Sequence, residues 1–500
     1  MDVLTGLLQG AAIALTPMNL LWCLVGVILG TVVGVMPGLG PPATIAMLLP
    51  LTFQMNSTSA IIMLAGIYYG AKYGGSTTAI LLNVPGESAS VVTCLDGFAM
   101  AKRGRAGAAL GIAAIASFVA GTVGVIGLML TAPPLARAAL AFSSPEYFAL
   151  MVLGLAMVVL LAGTSLVKAL LAMLVGLWIA SIGTDLFTAT SRFTFGLSDL
   201  LDGVDFVVVA IGVFALGEVL ANMESPQAAA MLPVPRGLRN LMPSREELRA
   251  CRFAFLNGSV IGFLIGVLPG AGSTIASFLS YGVEKAVSKH PERFGTGVPE
   301  GVAAPEGANN SETGGALVPM LTLAIPGSST TAILLAALVL WGFKPGPLMI
   351  QEHPALFWGL VVSMYVGNVL LLVLNLPLIP LFAQILRLPA YVLYPVIFGV
   401  SIVGVYSVSG SRLDVLMLVG FGLLGYGMRK LDYPAAPLIL GLVLGDSMER
   451  ALRQSLMMSQ GDLGILISRP IAAVLLALAA IILGIPSVRR ANAWRMKAIG

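Results

Sequence analysis

The sequence predicts an all-α, polytopic integral membrane protein made of two repeated halves, with re-entrant or broken helices at its Pro-Gly motifs. Three observations carry this. Charged residues are 10% of the chain and hydrophobic residues 58%, against about 25% charged in an average soluble domain. Uncharged runs at 106–136, 147–167, 253–283, 313–343, 355–386 and 388–411 match the roughly 20 residues a helix needs to cross hydrocarbon. Finally, a series of Pro-Gly landmarks occurs twice, in the same order. Apolar residues run continuously and do not alternate, which argues against a β-barrel.

The first element is apolar from the start: before Lys72 the only charged side chain is Asp2. Met1-Asp-Val-Leu lacks a basic n-region, so no cleavable signal peptide is expected. Residues 19–36 and 41–52 flank the turn Pro37-Gly38-Leu39-Gly40-Pro41-Pro42, and the second arm is too short to span. Such lengths fit a helix that enters the membrane, turns and leaves on the same side. Residues 254–268 and 273–282 around Pro269-Gly270-Ala271-Gly272 fit likewise, with Ser273 and Thr274 opening the second arm. A helix start of this kind points unpaired N–H groups and a positive dipole end into the protein, where an anion is the natural ligand. The plainer alternative is a kink packed against its neighbours.

Lys72 to Glu87, KYGGSTTAILLNVPGE, comes next. Gly74-Gly75 reads as a helix break, followed by the hydroxyls of Ser76, Thr77 and Thr78 and closed by Asn83-Val84-Pro85-Gly86. Opened backbone survives in lipid only where protein or a water-filled cavity satisfies it. A degenerate copy spans Asn309, Asn310, Ser311, Glu312, Thr313, Gly314 and Gly315, then Pro326, Gly327, Ser328, Ser329, Thr330 and Thr331. Paired broken helices in two halves of one chain point to a secondary transporter's binding site. The hydroxyls can cap a helix, bond a carboxylate or coordinate Na⁺; in membrane helices Ser and Thr also bond their own i−4 carbonyl or join helices. Asn83, Asn309 and Asn310 both donate and accept. Asn83, Asn310 and Ser328 are candidate Na⁺ ligands. Lys72, Glu87 and Glu312 are candidate coupling or gating residues, since an intramembrane charge is a functional hypothesis by default, although each can sit at the interface and Lys72 can snorkel.

The halves are set by the landmarks. Gly34–Gly40 returns as Gly266–Gly272, Asn83–Gly86 around Ala324–Gly327, Pro145-Glu-Tyr147 as Pro389-Ala-Tyr391, and Gly217-Glu218 as Gly445-Asp446. The predicted organisation is a first membrane repeat at 1–222, a cytoplasmic linker at 223–252, a second repeat at 253–460, and a last membrane helix with a cytoplasmic tail at 461–500. The linker holds Arg236, Arg239, Arg245, Arg249 and Arg252, and a short surface helix is expected near Ser244. Loop 51–60 has no Lys or Arg, whereas its counterpart 284–310 has Lys285, Lys289 and Arg293. The next pair reverses this, with Lys102, Arg103 and Arg105 against Lys344 alone. Opposite bias in equivalent loops predicts inverted topology, with the C-terminus cytoplasmic.

Other function classes lack their signatures. The net charge of +4 comes mostly from short basic loops, the pattern of cytoplasmic membrane edges, and nucleic-acid binding is not expected. Cys23, Cys94 and Cys251 have no C-x-x-C spacing, so neither a disulfide nor a cysteine metal site is expected. There is no P-loop, H-E-x-x-H or G-x-S-x-G, and no third glycine of a dinucleotide fingerprint. An intramembrane enzyme using Ser76 or Ser328 has no histidine base: only His290 and His353 exist.

The strings Pro37-Gly-Leu-Gly-Pro, Lys72 to Glu87 and Pro305-Glu-Gly-Ala-Asn-Asn310, with 284–295 and Lys344–Pro347, resemble the large permease subunit of the tripartite tricarboxylate transporters, the TctA family, from about residue 18 to 460. The resemblance implies a bacterial inner-membrane permease working with a small TctB-like membrane subunit and a periplasmic TctC-like solute-binding protein. It implies import of a di- or tricarboxylate such as citrate, driven by Na⁺ or H⁺, with no cofactor. The site expected on these motifs comprises Pro37, Gly38, Gly40, Thr44, Gly74–Thr78, Asn83, Pro85, Gly86, Gly270, Gly272–Thr274, Asn309, Asn310, Thr313, Gly314 and Pro326–Thr331. A carboxylate carrier or exporter without a receptor is the same-class alternative.

Overall fold

The computed structural model describes residues 3–36, 40–161, 165–185, 187–224, 238–385 and 390–499. Pro37 and Gly38 lie outside them, as do Pro389 and residues 225–237 of the expected linker. The regular structure of the described residues is helical apart from one antiparallel hairpin of two-residue strands, β1 (Gly183–Thr184) with β2 (Ser191–Arg192). Its principal helices are α1 (Val3–Ala14), α2 (Pro17–Gly34), α3 (Pro41–Leu48), α4 (Ser57–Leu82), α5 (Ala106–Ala139), α6 (Ser144–Leu161), α7 (Leu166–Ala180) and α8 (Phe206–Glu224). After these come α9 (Arg245–Ala250), α10 (Arg252–Val267), α11 (Gly272–Val287), α12 (Glu300–Leu323), α13 (Ser329–Leu340), α14 (Pro354–Ile385), α15 (Ala390–Ser409), α16 (Arg412–Lys430), α17 (Ala435–Met458) and α18 (Pro470–Ile499). Among the described residues, Pro17–Gly34, Ala101–Ala139, Phe206–Glu224 and Pro354–Leu374 are long and apolar enough to cross a membrane.

Two helices form the centre. In α4 every residue from Ser59 to Leu81 is buried, and in α12 every residue from Gly301 to Thr322. Each is encased: α4 by α2 and α14, α12 by α5, α10 and α11. Small residues make this possible. A Cβ on Gly26, Gly30 or Gly34 of α2 would lie 2.1–2.4 Å from the carbonyl oxygens of Met63, Ile67 and Ala71. On α10, Gly258, Gly262 and Gly266 meet the carbonyls of Ala304, Ala308 and Glu312 at 2.4–2.6 Å in the same way. These backbones touch directly, as small-residue membrane packing allows.

The expected break at Gly74-Gly75 is not there, for α4 runs unbroken through it. The glycines serve contact instead. A Cβ on Gly74 would sit 2.5 Å from the Thr31 carbonyl, and one on Gly75 would crowd Glu87 and Ser90. Residues Asn309 to Gly315 likewise lie inside continuous α12, with Gly314 and Gly315 closing on Gly124 and Phe263. The interruptions come later. Both helices end on a left-handed residue, Asn83 (φ 59°) and Ala324 (φ 57°), each followed by one residue and then Pro-Gly. Proline biases the residue before it away from helix and glycine admits a close approach: a Cβ on Gly86 would lie 2.5 Å from the Gly34 carbonyl, and one on Gly327 2.9 Å from that of Gly266.

Around this centre, α1 packs on α14, α17 on α7 and α6, α16 on α8, and α18 on α6. The surface helix α9 forms with a full capping box between Ser244 and Glu247, and Arg105 pairs with Glu247. The hairpin loop after α7 is anchored by buried Asp185. It accepts the Phe187 and Thr188 amides at 2.8 and 3.1 Å and faces Arg453 of α17 at 2.9 Å. Those amides, with Arg453, hold its carboxyl down at about 2.

Candidate functional site

Three helix starts converge on one cavity of about 400 Å³. They follow from local sequence: Gly40-Pro41-Pro42 opens α3, Gly270 with φ +80° turns the chain into α11, and Ser328 caps α13 by bonding Thr331. The first-turn N–H groups of Gly272, Ser273 and Thr274, and those of Ser329 and Thr330, have no intrahelical acceptor. In α3 the two prolines leave Ala43 as the free donor of the first turn. Aligned helix starts favour negative charge. The Gly270 N–H donates to the Gly327 carbonyl at 2.9 Å, tying the α11 turn to the start of α13. Ser88 and Thr274 meet across the cavity through their hydroxyls at 2.7 Å.

Two cations reach the cavity wall, Lys72 from α4 and Arg429 from α16. Lys72 is almost fully buried, pairs with buried Glu312 and donates to the Asn309 carbonyl at 2.7 Å. Its ammonium lies 4.9 Å over the Tyr68 ring, and the Tyr68 hydroxyl donates to Glu312 at 3.2 Å. Arg429 pairs with Glu218 at 2.8 Å. Glu87 completes the polar wall and accepts from Asn309 at 2.6 Å. Neutral hydroxyls, free amides and two partnered cations suit an anion that brings several carboxylates, each met by dipoles as well as charge.

The structure sorts the residues singled out by sequence. Gly40, Lys72, Pro85, Gly86, Glu87, Gly270, Gly272, Ser273, Thr274, Ser328, Ser329 and Thr330 line the cavity. Pro326 and Gly327 form the bend beneath α13, and Thr331 closes its cap. Other residues lie away from it. Thr44 donates to Gly40 and Thr78 to Gly75, so both serve their own helix. Asn83 is exposed at the α4 terminus. Ser76 and Thr77 line a small void against α5 with Ser117. Asn310, Thr313 and Gly314 face another one beside Tyr69 and Asn368. Asn309 and Glu312 stand just behind the wall.

Tyr68, Arg429 and Glu218 line the cavity and Glu306 is buried on α12; none of the four is among the site residues expected from the sequence. Glu306 was open to detection as a carboxylate in the otherwise uncharged stretch 301–311; Arg429 carries no such signal, for it ends an ordinary helix. Buried Glu306 accepts hydrogen bonds from Ser76 and Thr93. No group of three or more His, Cys, Asp or Glu residues is arranged to hold a metal ion among the described residues.

The comparisons fit this picture. A family model described as "Tripartite tricarboxylate transporter TctA family" matches residues 20–440. The chain is 48% identical over 492 residues to an "Uncharacterized 52.8 kDa protein in TAR-I ttuC' 3'region" of Agrobacterium vitis, covering 98% of both. It is 45% identical over 231 residues to an "Uncharacterized protein in TAR-II ttuC' 3'region" of the same organism, covering 46% of this chain and 96% of that one. No solved structure matches. With the family match spanning most of its length, this chain is a multi-pass, all-α membrane protein that belongs to the tripartite tricarboxylate transporter TctA family.

Proposed function

We propose that the chain is the large transmembrane permease subunit of a tripartite importer of di- and tricarboxylates such as citrate, driven by a Na⁺ or H⁺ gradient. The cavity carries this reading: three helix starts, Lys72 and Arg429 surround a space of about 400 Å³, suited to a small polyanion. A periplasmic solute-binding protein delivers the substrate, and a small membrane subunit completes the complex in the bacterial inner membrane. Carboxylates bind the free amides of α11 and α13 and the hydroxyls of Ser273, Thr274, Ser329 and Thr330. Residues 1–222 and 253–460 form inverted repeats, joined by a cytoplasmic linker at 223–252 and followed by a last helix and cytoplasmic tail. The glycine-packed pairs α2/α4 and α10/α12 and their left-handed ends support the repeat.

The test is uptake of radiolabelled carboxylates by cells lacking their own carriers. The chain is expressed with and without the small subunit and receptor, with Na⁺ present or replaced. Receptor-dependent, gradient-dependent uptake of one carboxylate is expected. Uptake by this chain alone would remove the tripartite requirement, and no uptake by an assembled complex would overturn the carboxylate assignment.

A further inference from the structure

One ammonium, Lys72, serves the centre of the molecule, against three carboxylates. Glu312 takes it directly. Glu87 lines the cavity, where solvent reaches it. Glu306 has neither, being fully enclosed on α12. Ser76 of α4 and Thr93 of the short helix Val91–Thr93 each bond one of its two carboxyl oxygens. No Lys, Arg or His lies within ion-pair distance of it among the described residues.

Among the described residues the charge of Lys72 reaches Glu306 without pairing with it, and the like charge of Glu87 opposes it. From α4, Lys72 is committed to Glu312 and Asn309, and Tyr73 donates to the Ala114 carbonyl at 2.5 Å. From 94–98 come Cys94 and Asp96, the latter held by the Gly295, Gly297 and Val298 amides at 2.7–3.0 Å. Next to Glu306 on α12, Asn310 donates to the neutral Ser117 of α5, and Gly307 packs on Gly258 of α10. On α11, Ser277 donates to the Pro305 carbonyl at 3.1 Å, while Tyr281 bonds Asp96 and Glu284 bonds Asn257. An ionised carboxylate here would be a buried charge without a partner, which proteins avoid by neutralising the group.

We propose that Glu306 is the proton-binding residue of the transport cycle, protonated in the conformation described. The inference rests on the permease reading above. Hydroxyl donors rotate, so Ser76 and Thr93 serve either protonation state. A proton fits better than a metal ion: no buried oxygen of Glu306, Ser76 or Thr93 is left unpartnered, whereas a cation needs several free oxygens. Ser76 lies one helical turn from Lys72 on α4. Separation of α4 from α12 would therefore admit water to Glu306 and expose it to Lys72 together. The carboxyl then gives its proton to water, leaving a carboxylate and a hydronium ion; rebinding from the other side reverses the step.

Two measurements on the complete complex test this. Infrared spectra of wild type at neutral pH should hold a protonated-carboxyl C=O band that shifts in D₂O and is absent in Glu306→Gln. In proteoliposomes supplied with receptor, Glu306→Gln should keep substrate exchange at equal concentrations and lose proton-driven accumulation, with Glu306→Asp regaining part of it. Any one of four results would overturn the proposal: an unchanged band, equal accumulation by Glu306→Gln, loss of exchange along with accumulation in an assembled complex, or wild-type accumulation driven by Na⁺ with no pH dependence. If wild type moves no carboxylate at all, the permease reading fails, while the infrared band still decides whether Glu306 holds a proton.

Discussion

Lys72 and Glu312 show how a single pair couples the two central helices. Both are buried, so removing one partner strands the other's charge, a loss of about 3–5 kcal/mol in comparable pairs. Lys72→Met and Glu312→Gln should each lower thermal stability in detergent, and the double variant should lose less than the sum of the two. Additive losses would show that the ion pair does not couple them. Lys72 and Glu312 were both readable as intramembrane charges, but their pairing was not. The two residues lie 240 positions apart, and nothing local says which of three carboxylates the single ammonium meets. The isolation of Glu306 was hidden for the same reason.

At the scale of the element, glycine carries two meanings that sequence does not separate. A Gly-Gly pair in an apolar helix reads equally as a break or as a contact surface, and the choice lies with a partner helix elsewhere in the chain. The Pro-Gly pairs were less ambiguous, because proline withholds an N–H and the glycine after it lowers helix propensity further; a lone proline does not suffice, for Pro305 and Pro319 lie inside continuous α12. Gly30→Val and Gly262→Val should therefore cut folded yield, since each Cβ would lie 2.4 Å from a facing carbonyl oxygen, beyond the roughly 1–3 kcal/mol usual for overpacking. Gly399→Ala, with nothing within 4 Å of the added Cβ, is the control that should express normally.

The hairpin after α7 gives a second element-level prediction. Asp185 has a folded pKa of about 2, below the ordinary aspartate value of about 3.9. Its stabilising contribution is present above the ordinary value and is lost as pH falls through the folded one. Asp185→Asn should thus speed amide exchange in 183–192 at neutral pH, and the difference from wild type should shrink between about pH 4 and pH 2. A difference that persists at pH 2 would assign the effect to packing.

For the whole molecule, the membrane class, the helical content and the cavity-lining turns were legible as composition and motif. Arg429 was not, because it is brought to the wall from α16, far along the chain. The contact between Ser88 and Thr274 supplies the global test. In a background without Cys23, Cys94 and Cys251, the pair Ser88→Cys and Thr274→Cys should form a disulfide across the cavity. Uptake should stop on oxidation and return on reduction, and full uptake by the oxidised protein would mean that this gap need not change during transport.

The bare backbone contact of α2 with α4 and of α10 with α12 has a mechanical consequence. Helices separated by layers of side chains can slide, because rotamers re-sort between them. Where carbonyl oxygens seat against glycine carbons there is nothing to re-sort, and each pair behaves as one stiff beam. Bending is then expected at the unhelical joints at 83–87 and 324–328, where Asn83 and Ala324 already sit in the left-handed conformation. If the pairs move at all, those two short joints are where they are expected to pivot.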